Sequence, residues 1–102
     1  MIRKVTELEQ KLLDNGWKLE SKLYCGKNRQ LTSGFFYQKV FQVNEIDFIF
    51  SVFLDNKRTK ALNFRCETIY IAFYYCDLLI QETAFANVRD ELWTICGYLV
   101  GE

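Results

Sequence analysis

Phe35-Phe36-Tyr37-Gln38-Lys39-Val40-Phe41-Gln42-Val43-Asn44-Glu45-Ile46-Asp47-Phe48-Ile49-Phe50-Ser51-Val52-Phe53-Leu54 is the stretch that decides the fold. Aromatic and β-branched residues dominate it, and Ile46, Phe48, Phe50, Val52 and Leu54 fall on one face of an extended chain. Asn44-Glu45 interrupts the run with a residue that tolerates a tight turn, so residues 35–43 and 46–54 read as the two strands of a hairpin. Both faces of this hairpin are apolar. Side chains alternate across a strand, so Phe36 and Val40 lie opposite Phe35 and Phe41, and Ile49 and Phe53 lie opposite Phe48 and Phe50.

Upstream, Trp17, Leu19, Leu23 and Cys25 alternate with Lys18, Glu20, Lys22 and Tyr24, the pattern of a half-buried strand. Gly26 to Gln30 is a polar, basic connection, and Thr32-Ser33-Gly34 closes it. Downstream, Asp55 to Lys60 opens with turn formers, and Leu62, Phe64 and Cys66 resume the alternation as a fourth strand. The apolar run Ile69 to Tyr75 reads as a fifth strand, with the start of a helix as the alternative, because a continuous apolar run hides its own period.

The two ends have helical spacing. Ile2, Val5, Leu8 and Leu12 or Leu13 place a first helix at roughly residues 3–15. Thr6-Glu7-Leu8-Glu9 has capping-box spacing and would start that helix later; the apolar spacing is the reading adopted. Asn15-Gly16 stops it, and Trp17 then lies where it packs back on Leu12. Phe85, Val88, Leu92, Ile95 and Leu99 form the stripe of a last helix over residues 83–99. The chain is therefore expected to be a single α+β domain over residues 1–102, an antiparallel sheet of four to five strands flanked by an N-terminal and a C-terminal helix.

With 102 residues, half of them hydrophobic and 17% aromatic, the chain has material for one core and none for a second. The opening residues lack the apolar core of a secretory signal, and the run Ile69 to Cys76 is far shorter than the roughly 20 residues that cross a bilayer. Cys25, Cys66, Cys76 and Cys96 show no C-x-x-C pair, and histidine is absent. The expectation is four reduced thiols, no metal, no cofactor, no membrane and a cytoplasmic location.

The lack of histidine also removes Ser-His-Asp and Cys-His catalysis. Glu7 with Glu9, and Asp90 with Glu91, sit at helix spacings that do not share a face, and they read as solvated charge. Gly26-Lys27 lacks the earlier glycine of a phosphate-binding loop, since position 21 is serine. Cys76-Asp77 places an acid beside a thiol, which opposes thiolate formation. No catalytic residue is assigned, and the chain is read as no enzyme.

Two surfaces remain. The first is basic: Lys18, Lys22, Lys27 and Arg29, then Lys57, Arg58 and Lys60, lie in or beside strands and their connections, near Tyr24, Phe36 and Tyr37. Residues 1–66 carry twelve Lys or Arg against seven acids, while residues 67–102 carry only Arg89 against six. Bases interleaved with aromatics suit a nucleic-acid backbone, although the acidic final third cancels the field. The second is apolar: Phe36, Val40, Ile49 and Phe53 share one face, and two helices hardly cover both sides of such a sheet. Leaving several such side chains wet forgoes on the order of 5 kcal/mol, so a homodimer or protein partner is expected there.

The opening Thr6-x-Leu8-Glu9-x-x-Leu12-Leu13-x-Asn15-Gly16-Trp17, followed by a Lys-rich strand, resembles the start of short uncharacterised proteins of phages and mobile elements of Gram-positive bacteria. The resemblance implies a protein that acts by occupying a surface, such as an inhibitor of host defence of the anti-CRISPR kind. The partner it implies is a host nuclease or nucleoprotein. The alternative is a small nucleic-acid-binding accessory protein using its basic hairpin loops.

Overall fold

The computed structural model describes residues 4–25, 31–66 and 77–99, with backbone alone for 21–25 and 31–35. Helix α1 spans Glu7–Asp14, strands β1 Lys18–Cys25, β2 Leu31–Val43, β3 Ile46–Leu54 and β4 Ala61–Cys66, and helix α2 Leu78–Cys96. The strands form one antiparallel sheet in the order β1-β2-β3-β4, so among the described residues the protein is an α+β domain with an open four-stranded meander and two flanking helices. The fifth strand expected over 69–75 lies outside the described residues.

The central hairpin forms as its sequence requires. Asn44 and Glu45 take φ of 49° and 67°, the left-handed pair of a two-residue turn that matches strand twist. Register then follows, with Phe36 opposite Phe53, Val40 opposite Ile49 and Phe41 opposite Phe48. Strand β2 begins at Leu31 rather than at Phe35. Ladder pairing with β1, from Lys22 opposite Gly34 to Cys25 opposite Leu31, carries the strand through Thr32-Ser33-Gly34, which looked like loop by composition.

Helix α1 starts later than its apolar spacing indicated. Thr6 caps it: the Glu9 amide donates to Thr6 Oγ1 at 3.2 Å, and the Thr6 amide donates back to Glu9 Oε1 at 3.1 Å. These two bonds satisfy amides that a helix beginning near residue 3 would also satisfy internally, and Val5 gains nothing from being helical because it stays exposed. At the other end, the Trp17 amide donates to Leu12 O and the Gly16 amide to Leu13 O, with Gly16 at φ 89°. This is the glycine-terminated stop that folds Trp17 onto Leu12, and both side chains are buried.

Helix α2 runs from Leu78 to Cys96 instead of 83 to 99. Asp77 supplies the cap, accepting the Leu79 amide at 2.7 Å, and Gly97 at φ 75° ends the helix. The exposed Leu78 and Leu79 lie off the apolar stripe, which is why periodicity alone missed the first turn.

One alternation breaks. Phe53 pairs with Asn63 but Leu54 pairs with Ala61, so a bulge inserts Leu62. Ala61 turns inward at 5% exposure and Leu62 turns out at 56%, the reverse of the expected alternation. The Ala61 amide donates to Tyr98 Oη at 2.6 Å.

Both helices pack on the same face of the sheet. Leu8 and Leu12 of α1 and Ala84, Val88, Leu92 and Ile95 of α2 join Trp17, Tyr37, Phe48, Phe50 and Val52 in one core. Phe50 is its hub, meeting Phe85 edge-on at 5.1 Å and Phe41 edge-on at 5.7 Å.

Candidate interaction surface

Because the helices take one face, the other is built from the alternate residues of every strand. Cross-strand pairing lays it out in rows: Lys18, Gln38, Ser51 and Arg65; Glu20, Phe36, Phe53 and Asn63; Val40 and Ile49; Gln42 and Asp47. All four apolar residues singled out from sequence thus share this face. They are not equally accessible. Val40 is 54% exposed, Ile49 and Phe53 are half-buried, and Phe36 is buried at 2%.

The aromatic row is ordered by its neighbours. The Phe36 and Phe53 rings stand 5.4 Å apart, and the Arg65 guanidinium lies over the Phe53 ring at 5.3 Å. Lys18 and Arg65, both exposed, end one row on opposite edges of the described sheet. Ser51 is fully buried in the middle of that row, and the buried Oδ1 of Asn63 has no hydrogen-bond donor among the described residues. The surface thus holds two apolar pairs, Phe36–Phe53 and Val40–Ile49, separated by the Gln38–Ser51 row that Lys18 and Arg65 end, with Glu20 and Asp47 on the same face.

The basic residues separate into several situations. Lys57 and Lys60 are exposed on the β3–β4 loop. Arg58 is committed to the protein: its Nε lies 3.5 Å from Oε1 of the fully buried Glu9, and its carbonyl accepts Thr6 Oγ1 at 2.6 Å. Glu9 Oε2 also accepts the Tyr37 hydroxyl. Glu9 is therefore a buried clasp between α1, β2 and the β3–β4 loop, and Glu91 makes a similar link to Lys39, so the reading of these two as solvated charge is corrected. Sequence spacing could not find these links, because the long-range partners lie 28 to 74 residues away. Lys22 pairs with Gly34 toward the end of the β1–β2 hairpin, the same end of the sheet as the β3–β4 loop. Lys27 and Arg29 lie outside the described residues.

Asp55 shapes that loop. Its carboxylate accepts the Thr59 amide at 2.8 Å, the Lys60 amide at 3.1 Å and the Thr59 hydroxyl at 3.2 Å. Desolvation pushes its pKa up, but the Lys60 and Thr59 amides, the Thr59 hydroxyl and the Lys60 charge outweigh this and hold it below the ordinary 3.8.

Chemistry has little to build on. Cys66 and Cys96 are half-buried, and burial raises the Cys96 pKa against the opposing charge of Lys11. Among the described residues no cluster of three or more Cys, Asp or Glu is placed to hold a metal, and no helix is long and apolar enough to cross a membrane. A cleft of about 270 Å³ opens between α1 and the end of α2, lined by Thr6, Lys11, Thr59, Cys96 and Tyr98 among others. Its hydroxyls at Thr6, Thr59 and Tyr98 are already engaged in the loop and bulge contacts. Comparison with protein-family models, curated proteins and solved structures finds no match.

Proposed function

We propose that the protein is a non-enzymatic, cytoplasmic protein-binding module that grips its partner with the sheet face opposite the helices. The observation that supports this is the placement of both helices on one face, which leaves Val40 exposed beside the half-buried Ile49, with the half-buried Phe53 farther along β3 on the same side of the sheet. Lys18 and Arg65 end the polar row between the two apolar pairs, while Glu20 and Asp47 stand in the outer rows, so the complementary partner offers apolar groups with carboxylates placed for these two cations. The target class implied by the N-terminal resemblance, a host nuclease or nucleoprotein bound by an inhibitor of phage or mobile-element origin, is the finer form of this proposal. Mimicry of nucleic acid by the acidic last helix is less favoured, because Glu91 is spent on Lys39.

The test is affinity capture from host extract with the wild type, Val40→Asp and Arg65→Glu, followed by calorimetry with the purified partner. The expected result is one protein bound by the wild type and lost by both folded variants. A partner held equally by all three would overturn the assignment of this face.

A second reading has one observation in its favour: the topology brings Lys22, Lys57 and Lys60 to one end of the sheet. Phosphate contacts of this kind weaken steeply with salt, by a slope of roughly 0.7–0.9 per contact. Fluorescence anisotropy with labelled oligonucleotides decides it. Binding in the submicromolar range at physiological salt that vanishes on neutralising these lysines would replace the first reading.

A further inference from the structure

Helix α2 buries Ala84, Val88, Leu92 and Ile95 against the sheet, yet its solvent side is not polar throughout. Leu79 is 69% exposed and Trp93 51% exposed. They stand seven residues before and after Ala86, which is also exposed. On a helix this places the three within about 20° of one line, with Leu79 and Trp93 about 10 Å below and above Ala86. That line points away from the core.

We infer that this face of α2 is a self-association surface, on which a second copy of the chain lays its own α2 antiparallel about a two-fold axis at Ala86. In that arrangement Leu79 of one copy meets Trp93 of the other, twice, and the small Ala86 lets the helices approach at the centre. The charges agree with it. Glu82 and Arg89 lie on the same side of the apolar line, about 6 Å below and about 4.5 Å above Ala86, so inversion of the second helix sets Arg89 of the second copy beside Glu82. Asp90 falls on the other side of the line, where the second copy offers Thr83, so no like charges are opposed. All four side chains are exposed, and none of the described ion pairs uses them.

The sheet surface that carries Lys18 and Arg65 stays free on the opposite side of the molecule. Such a dimer would present two copies of it at once. A single helix pair buries less than the roughly 800 Å² per partner of a standard interface, so the dimer is expected to be weak and concentration-dependent.

Sedimentation velocity on the full chain, from about 1 to about 500 μM, tests this together with the variants Glu82→Arg, Arg89→Glu, the double reversal and Val40→Asp. The expected result is a concentration-dependent dimer, weakened at least about tenfold by either single reversal and recovered by the double, with Val40→Asp neutral. Circular dichroism verifies that each variant is folded. A monomer throughout, a dimer indifferent to the single reversals, a double reversal that fails to recover, or a dimer broken by Val40→Asp would each overturn the inference.

Discussion

The Lys39 ammonium lies 2.6 Å from Glu91 Oε1, with the two side chains 24% and 23% exposed. It also donates to the Asn15 carbonyl at 2.7 Å, while Glu91 Oε2 accepts Trp17 Nε1 at 3.2 Å. One ion pair therefore ties β2 and α2 to the stop of α1. Removing one partner leaves the other charge poorly solvated, so Lys39→Met or Glu91→Gln is expected to cost about 1–3 kcal/mol. Urea denaturation measures it, and an unchanged midpoint would show the pair to be energetically idle.

Glu9 is the deeper case, because its carboxylate is fully buried among Thr6, Tyr37 and Arg58. Glu9→Ala removes a cap, the acceptor of the buried Tyr37 hydroxyl and the partner of Arg58, for an expected loss of about 2–4 kcal/mol. Tyr37→Phe, which deletes one donor to that buried carboxylate, should cost about 1.5–3 kcal/mol. Thermal unfolding of the two variants should rank them in that order.

Asp55 makes the β3–β4 loop acid-sensitive. Its folded pKa lies below its unfolded value, so its stabilising contribution is present above pH 3.8 and is lost as pH falls through the lowered folded value. Amide chemical shifts of Thr59 and Lys60 should titrate in that acidic window, and Asp55→Asn should abolish the transition. A titration centred at or above the ordinary value would contradict the hydrogen-bond geometry.

The sheet face should split by burial. Val40→Asp is expected to change stability by no more than about 0.5 kcal/mol, since its side chain is already largely in water. Phe36→Asp places a charge at a buried site and should cost more than about 3 kcal/mol, or prevent folding. Circular dichroism with denaturant compares them, and equal behaviour would show that the face is uniformly covered or uniformly open.

Much of the architecture was legible along the chain. The alternation over 35–54 with Asn44-Glu45 between its arms specified the central hairpin, and Asn15-Gly16-Trp17 specified the stop of α1, because both depend on neighbours a few residues apart. The same period-two reading put Phe36, Val40, Ile49 and Phe53 on one face. Where two local signals competed at Thr6, the sequence offered both and the capping bonds decided. The bulge at Leu62 was invisible because it depends on pairing with β3.

Tertiary structure alone decided which face of the sheet the helices cover, and hence which apolar residues remain accessible. It turned Glu9 and Glu91 from apparent surface charge into internal clasps, and it separated Phe36 from Val40, two residues with the same alternation. The reason is physical: spacing fixes the side of an element on which a side chain emerges, but burial and charge pairing depend on partners that only the folded chain brings within reach.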